Sequence, residues 1–262
     1  MPRVLYISSD GMRPDAISAA RADNLLSLMS RGAYTLGACS VMPSVSLPCH
    51  MSIFHSVPPQ RHGIVQNTFT PMARPVPGLI DVLQEAGRKC CSFYSWEPLR
   101  DVSRPGRLAV SSLIAYRRNP EEADDLVVRA ALPHLSSGDF DFAFLYLATM
   151  DEVGHDHGWM SERYLEQVAH ADRLIGEVVE SLPSDTVVLV HSDHGGHGRT
   201  HGTDAAEDMN IPWIIAGPGI RRDHRIESSV SLLDTAPTIA AILGVEPAES
   251  WEGRAVDEIF LP

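Results

Sequence analysis

Carboxylate and imidazole side chains recur along the chain in short segments that directly follow apolar runs. These two side-chain types are the ligands that divalent metal ions of the zinc type prefer in proteins. The positions are Asp10 after residues 4–9, Asp151 after residues 142–148, and Asp193 with His194 after residues 186–191. We therefore expect metal-assisted chemistry if the fold brings these positions together, although Asp10 standing alone would equally suit the cap of a following helix.

Two further histidines extend this set. His155 stands four residues after Asp151, and we expect Gly154 between them to turn the chain so that both side chains face one ion. His201 comes later, in a Thr-His-Gly segment, where a single histidine would by itself indicate a solvated loop. Taken together, the set contains three carboxylates and three imidazoles, which is enough for two ions.

A serine stands where an apolar segment has the pattern of a helix start. Ser46 lies two residues before Pro48, and proline suits the first turn of a helix. Backbone N–H groups at a helix start bind phosphate oxygens, and coordination to a divalent cation would favour the serine alkoxide without a histidine base. In the alternative interpretation Ser46 is simply the N-cap of this helix, and the two roles are compatible.

Strand-like and helix-like stretches alternate along the chain, which predicts an α/β fold with a mostly parallel central sheet and helices on both faces. In such a fold, ligands bind beyond the carboxyl ends of the strands, which is where the candidate metal ligands stand. The predicted strands are residues 4–9, 90–94, 142–148, 186–191 and 211–216, and the predicted helices are residues 15–30, 79–88, 121–135, 161–182 and 233–243.

The overall composition is that of an ordinary globular protein. Hydrophobic residues make up 44% and charged residues 21% of the 262 positions, which argues against a disordered or fibrous chain. We expect a single catalytic domain over residues 1–262. The net charge is −13, from 21 Lys and Arg against 34 Asp and Glu, so we expect a small-molecule substrate and no surface for nucleic acid or anionic membranes. The oligomeric state is not indicated.

The spacing of the cysteines and the first residues of the chain together predict the cellular compartment. Cys39, Cys49, Cys90 and Cys91 lack the spacing of a disulfide framework or a zinc ribbon, so reduced thiols are expected. The first residues predict a strand rather than a secretory signal. No stretch approaches the roughly 18 apolar residues that a membrane span needs. These features predict a soluble, cytoplasmic protein.

Six segments, in this order, resemble those of the alkaline phosphatase superfamily. The most similar branch is the nucleotide pyrophosphatase/phosphodiesterase (type I phosphodiesterase) family, and the likeness extends from Asp10 to about Trp213. It implies an alkaline-phosphatase-like core that binds two divalent ions, Zn²⁺ or alternatively Mn²⁺. The segments are residues 8–15, 43–50, 62–67, 151–155, 193–195 and 201–213.

The resemblance also implies a role for each residue of the set. Ser46 becomes the nucleophile, in place of the threonine that is usual in that branch. Asn67 directs its side-chain amide at the phosphoryl oxygens, although a turn asparagine would be the ordinary interpretation of that residue. One ion is held by Asp151, His155 and His201, and the other by Asp10, Ser46, Asp193 and His194.

One departure from the family pattern concerns the last segments. Only six residues separate His194 from His201, whereas the longer phosphodiesterases imply a substantial insertion there. We therefore expect no large cap domain, and substrate selection by loops within residues 67–135. His197 rivals His201 as a ligand, but the residues downstream of His201 keep the family spacing. The other histidines are expected to be packing or surface residues: His50, which could also support a ligand, His55, His62, His134, His157, His170, His191 and His224.

The predicted reaction is hydrolysis of a phosphodiester through a phosphoseryl intermediate on Ser46. A diester is favoured because a monoester dianion usually calls for an additional Arg or Lys, and the motifs have none at a matched position. Arg199 is near enough in sequence to supply that cation, so a phosphomonoesterase or phosphonate hydrolase is the alternative. A non-catalytic metal-binding protein and an aldose-phosphate mutase relative are less favoured, because the ligand set is complete and a mutase would need a cap.

Overall fold

The computed structural model describes residues 2–103, 106–115 and 122–261. The strands within these ranges form one eight-stranded sheet. In chain order they are β1 (Arg3–Ser9), β2 (Ala33–Cys39), β3 (Cys90–Tyr94), β4 (Val110–Leu113), β5 (Phe142–Leu147), β6 (Thr186–His191), β7 (Asn210–Ala216) and β8 (His224–Arg225). The order across the sheet is β4, β3, β5, β1, β6, β7, β2 and β8.

The five strands from β4 to β6 are parallel, which confirms the predicted α/β fold with a mostly parallel sheet. Beyond β6 the direction changes, because β7 runs antiparallel to both β6 and β2. The register pairs Ser9 of β1 with Leu147 of β5, and Ser8 with His191 of β6. The residues that follow these three strands therefore leave the sheet side by side at one edge.

Helices cover both faces of the sheet and enclose two apolar clusters. Alternate residues of β1 divide between them, since Val4 and Tyr6 belong to one cluster and Leu5 and Ile7 to the other. This division explains why β1, β5 and β6 are apolar along almost their whole length. The helices are α1 (Pro14–Ala19), α2 (Asp23–Arg31), α3 (Ser46–His55), α4 (Pro59–His62), α5 (Leu79–Glu85), α6 (Ala123–Ser137), α7 (Thr149–His157), α8 (Glu162–Ser181), α9 (Ala206–Met209) and α10 (Thr235–Ile242).

The helix predicted over residues 15–30 is wrong as one element, because the chain forms two helices there. Arg21, between α1 and α2, has a φ of 52°, which an α-helix does not accommodate. The buried Asp172 of α8 then accepts hydrogen bonds from the backbone N–H groups of Asn24 and Leu25, at 3.1 and 2.8 Å. A tertiary contact thus starts α2, and apolar spacing alone does not reveal it.

The strands predicted over residues 90–94 and 186–191 have the predicted ends, and the remaining predicted elements are present with shifted ends. The helix predicted over residues 121–135 corresponds to α6, and residue 121 lies outside the described residues. The terminal helix predicted from residue 233 starts as a separate 3-10 turn, Leu232–Asp234, before α10. Six elements, β2, β4, β8, α4, α7 and α9, were not predicted.

All four cysteines are free thiols. Cys39, at the end of β2, is exposed, whereas Cys49, Cys90 and Cys91 are buried. Burial raises the pKa of the Cys90 thiol to about 12. Among the helices that the structure describes, none is long and apolar enough to cross a bilayer.

Candidate metal centre

Asp10 directly follows β1 and is buried. Its Oδ2 accepts a hydrogen bond from the hydroxyl of Tyr146 on the neighbouring β5. Its Oδ1 has no hydrogen-bond partner among the described residues and lies 3.3 Å from Nε2 of His194. One oxygen is therefore fixed by the scaffold, and the other is directed at an imidazole.

Asp193 and His194 follow β6 and are also buried. The backbone N–H of Gly11 donates to Oδ1 of Asp193 at 3.3 Å. Oδ2 of Asp193 lies 3.4 Å from Nε2 of His194 and, within the described part of the chain, accepts no hydrogen bond. The ends of β1 and β6 thus bring together the carboxylates and the imidazole that the sequence placed there.

Asp151 and His155 lie on α7, so the expected turn at Gly154 is wrong. Both side chains project from one face of the helix because they are one turn apart, and His155 Nε2 lies 3.5 Å from Asp151 Oδ2. Gly154 serves another purpose. A Cβ atom at that position would approach the ring of Trp159 to 2.7 Å.

His201, rather than its rival His197, faces this group. Its Nε2 lies 3.5 Å from Oδ1 of Asp151, and its ring stacks on that of His194 with the centroids 3.8 Å apart. The Nδ1 atom of His197 is instead 2.7 Å from Oδ1 of the buried Asp208. Six of the seven predicted ligands therefore form one cluster: Asp10, Asp151, His155, Asp193, His194 and His201.

The three imidazoles of the cluster share one hydrogen-bonding pattern. Each Nδ1 faces a backbone carbonyl: His155 that of Arg199 at 3.0 Å, His194 that of Gly195 at 2.8 Å, and His201 that of Ser44 at 2.8 Å. Because a carbonyl only accepts, the proton of each neutral ring sits on Nδ1. The Nε2 lone pairs are left available as metal ligands.

Ser46 is the first residue of α3, so its interpretation as an N-cap is wrong. The cap position is Val45, and the hydroxyl of Ser46 lies 3.2 Å from Nε2 of His194. Asn67 joins the same helix start, because its Oδ1 accepts from the backbone N–H of Leu47 at 2.9 Å. That contact holds the side-chain amide of Asn67 beside the residue that follows Ser46.

His50 supports the cluster without being free to act as a ligand. Its Nδ1 lies 2.8 Å from the carbonyl oxygen of Ser46, and its Nε2 lies 3.0 Å from the hydroxyl of Ser8. Burial lowers the pKa of His50 to about 4, so the ring is neutral at pH 7. It thereby ties the backbone of Ser46 to β1.

The donor set fits divalent metal ions. Two groups of three donors each have ligand atoms within 4.8 Å of one another: Asp151 with His155 and His201, and Asp10 with Asp151 and His194. One oxygen each of Asp10, Asp151 and Asp193 is buried without a hydrogen-bond partner among the described residues. Burial, and then the nearby charge of Asp10, raises the pKa values of Asp151 and Asp193 well above the usual range. A bound cation would supply the missing partner.

Several residues that support the cluster were not identified from the sequence. They contact ligand-bearing segments through the fold, and no spacing or motif marks them. Tyr146 binds Asp10, and Asp208 binds His197 as well as the backbone N–H of Thr203. Trp159 packs against His155 and His201.

Residues 4–210 match the family model of type I phosphodiesterase / nucleotide pyrophosphatase, so the chain belongs to that family. The resemblance inferred from the motifs is therefore confirmed. The human GPI ethanolamine phosphate transferase 3 catalytic subunit is 25% identical over 191 residues, which cover 70% of this chain and 17% of that protein. The 2,3-bisphosphoglycerate-independent phosphoglycerate mutase of Staphylococcus aureus is 30% identical over 158 residues, which cover 57% of this chain and 30% of that protein. The chain thus spans less than a third of either relative.

Solved structures share the fold at low sequence identity. A murine ectonucleotide pyrophosphatase / phosphodiesterase 5, an inactive variant in complex with AMP, matches with a TM-score of 0.84 and 16% identity over 100% of both chains. The phosphonate monoester hydrolase of Silicibacter pomeroyi matches with a TM-score of 0.74 and 18% identity, over 97% of this chain and 76% of that one. The first match spans both chains completely, which agrees with the expected core without a large cap.

Proposed function

We propose that the chain is a metal-dependent hydrolase of phosphodiesters that uses Ser46 as its nucleophile. The observation that carries this proposal is the position of the Ser46 hydroxyl. It lies at the start of α3, 3.2 Å from Nε2 of His194, which also approaches Asp10 and Asp193. Membership of the phosphodiesterase family supports the same reaction class.

The cluster would hold two divalent ions, for which we propose Zn²⁺ with Mn²⁺ as the alternative. Mixed imidazole and carboxylate donors suit both metals. When bound, the ions favour deprotonation of a coordinated hydroxyl and offset charge on the phosphoryl oxygens. We assign Asp151, His155 and His201 to one ion, and Asp10, Ser46, Asp193 and His194 to the other.

The side chains of the protein then have defined tasks. The Ser46 oxygen attacks phosphorus, the bond to the leaving oxygen breaks, and a phosphoseryl group results. Water attacks this group, which releases the phosphate monoester and restores the Ser46 hydroxyl. Leu47 holds Oδ1 of Asn67 through its N–H, so the NH₂ group of Asn67 can donate to a nonbridging oxygen as charge develops there.

The choice of a diester rests on the cations near the site. Arg13 is engaged, because it forms two hydrogen bonds with the carboxylate of Asp15 and one with the carbonyl of Gly196. A phosphodiester carries one charge fewer than a monoester dianion, so it needs no additional cation. The charge distribution therefore favours the diester.

Arg199 is the observation that favours a second candidate, a phosphomonoesterase or phosphonate hydrolase. Its backbone carbonyl contacts His155, its side chain is exposed, and it forms no ion pair with any described residue. The guanidinium therefore starts beside the site and is free to meet a dianionic phosphate.

A substrate panel with matched variants tests the proposal. We expect faster release of nitrophenol from bis(4-nitrophenyl) phosphate than from 4-nitrophenyl phosphate, 4-nitrophenyl phenylphosphonate or 4-nitrophenyl sulfate. Ser46→Ala should lower diester turnover at least about 10³-fold. Ser44→Ala is the control, because that hydroxyl donates to the carbonyl of Thr203 at 2.8 Å and should leave most turnover intact.

Three results would contradict the proposal or change the substrate. Wild-type turnover by Ser46→Ala excludes this serine as the nucleophile. A preference for the monoester or phosphonate that disappears in Arg199→Ala would establish the second candidate. Preference for the sulfate ester would move the substrate class away from phosphorus.

A further inference from the structure

The side chain of Trp159 packs against two of the proposed ligands. It follows α7, and its side chain is buried. Its ring meets that of His155 edge to face, at 5.1 Å between centroids and 85° between planes. It meets the ring of His201 in the same manner, at 5.9 Å and 65°. One indole therefore touches both imidazoles whose Nε2 atoms face Asp151.

Hydrogen bonds connect Trp159 to two segments that carry other proposed ligands. Its Nε1–H donates to the carbonyl of Gly11, directly after Asp10, at 2.9 Å. The backbone N–H of Trp159 donates to the carbonyl of Gly198 at 2.8 Å, in the loop that leads to His201. Trp159 thus connects the end of β1 with the histidine loop.

Two glycines leave the space that the indole occupies. A Cβ atom on Gly154 would come within 2.7 Å of the ring, and a Cβ on Gly196 within 2.2 Å. Gly154 lies inside α7, where glycine is less favourable than alanine. The absence of a Cβ atom at both positions therefore allows the Trp159 ring to approach the backbone closely.

We propose that Trp159 is a positioning residue that fixes the ring planes of His155 and His201, and this inference rests on the proposed metal site. The last side-chain torsion of histidine is broad, so a carbonyl contact at Nδ1 alone still lets each ring swing. Edge-to-face contact with a third ring restricts that motion. Both Nε2 atoms are then held toward Asp151 before an ion arrives.

Zinc affinity of the Trp159→Phe variant tests this role. Loss of a contact that orients ligands costs metal affinity about 10- to 100-fold, so we expect the zinc site of Asp151, His155 and His201 to lose that much. The measurement is competition against a chromophoric chelator, starting from chelator-stripped protein. Trp251→Phe is the matched control, because that indole also donates to a backbone carbonyl, of Pro77 at 2.8 Å, but packs in the other apolar cluster. It should bind zinc with wild-type affinity.

Tryptophan fluorescence reports whether the Trp159 indole is the one that lies beside the zinc site. Zinc should alter the emission of the wild type and of Trp251→Phe, and this change should disappear in Trp159→Phe. Gly154→Ala keeps all four tryptophans but displaces the indole. We expect it to weaken the same zinc site, so the test holds even if Trp159→Phe fails to fold.

The outcomes separate this inference from the proposed function. If wild-type protein binds no zinc, the result contradicts both the proposed metal centre and the proposed role of Trp159. If the wild type binds zinc and both Trp159→Phe and Gly154→Ala match it, the positioning role is overturned while the metal centre stands. Equal loss in Trp251→Phe would show a general packing effect and would also overturn the role.

Discussion

The two ends of the ligand cluster differ in their access to solvent. In the buried half, formed by Asp10, Asp193 and His194, each side chain is at most 1% exposed. In the open half, formed by Asp151, His155 and His201, the exposed fractions are 17%, 43% and 9%. The buried half follows the strands β1 and β6, whereas the open half comes from a helix and a loop.

We propose that this difference gives the two halves separate tasks in the proposed reaction. The buried half touches Ser46 and is held by the rigid sheet, so it suits the orientation of a nucleophile. The open half can exchange a leaving group for water without moving the sheet. Asp151 belongs to both groups of closely spaced donors, so it couples the two halves.

Metal removal has the largest expected effect on this comparison. A chelator should abolish diester turnover, and the native protein should contain about two divalent ions per chain. Because the halves differ in exposure, the ion of the open half should leave faster than the ion of the buried half. Release followed with a zinc-sensitive dye should therefore show two phases. A single phase, or turnover without metal, would refute the distinction.

Replacing one histidine in each half should have unequal results. His194→Ala should lower turnover at least about 10³-fold even in excess zinc, because it removes a ligand beside Ser46. His155→Ala should regain a substantial part of its turnover as zinc is added, since solvent already reaches that half. Zinc titration of turnover for both variants is the measurement. Equal rescue by zinc would mean that exposure does not divide the site.

Asn67 contacts the start of α3, because its Oδ1 accepts from the N–H of Leu47, the residue after Ser46. Asn67→Asp keeps an oxygen for the Leu47 N–H but loses the amide donor, so turnover should fall about 100-fold, or about 3 kcal/mol. Its thermal midpoint should stay near that of the wild type, whereas Asn67→Ala should lose turnover and stability together. Turnover and midpoint are measured on the same samples. Unchanged turnover in both variants would make Asn67 a purely structural residue.

Tyr146 tests the scaffold of the buried half with a smaller change. Tyr146→Phe removes the hydroxyl that donates to Asp10, and we expect about tenfold weaker binding of the slowly released zinc ion. Tyr94→Phe is the matched control, because Tyr94 is equally buried at 3% and its hydroxyl lies 3.4 Å from Ser111, outside the cluster. Zinc affinities of the two variants should differ. Equal affinities would exclude a role for the Tyr146 hydroxyl.

The smallest effect concerns a carboxylate far from both halves, near β8. Glu258 accepts hydrogen bonds from the backbone N–H groups of Glu227 and Ser228, and these lower its pKa to about 2. A pKa lowered by folding stabilises the protein above the ordinary pKa, and this contribution is lost as the pH falls toward 2. Glu258→Gln should therefore lower the thermal midpoint slightly at pH 7 and not at pH 2. A loss independent of pH would contradict this assignment.

The strand ends that carry the site could be predicted from the sequence. Apolar runs before Asp10, Asp151 and Asp193 identified three central strands, and the parallel arrangement placed their ends together. The split of residues 15–30 could not be predicted, because Asp172 acts from a helix distant in sequence. The antiparallel β7 likewise reflects pairing across the sheet rather than a local pattern.

The candidate ligands were easier to predict than the residues that contact them from other parts of the fold. His155 and His201 stand in short motifs, whereas Trp159 and Tyr146 act only through tertiary contacts. Gly154 shows how a correct residue can receive the wrong reason, since it permits close packing in a helix and not a turn. The domain extent, the cytoplasmic location and the individual residue roles stay predictions.

The exposure of Cys39 makes the unmodified chain suitable for site-selective labelling. The other three thiols are buried, so a maleimide fluorophore should attach at one position without any cysteine being removed. The adjacent Ser40 hydroxyl donates to the carbonyl of Asp193 at 2.5 Å, so the dye would stand close to the buried half. Because burial raises the pKa of the Cys39 thiol, coupling at neutral pH should be slower than for a free cysteine.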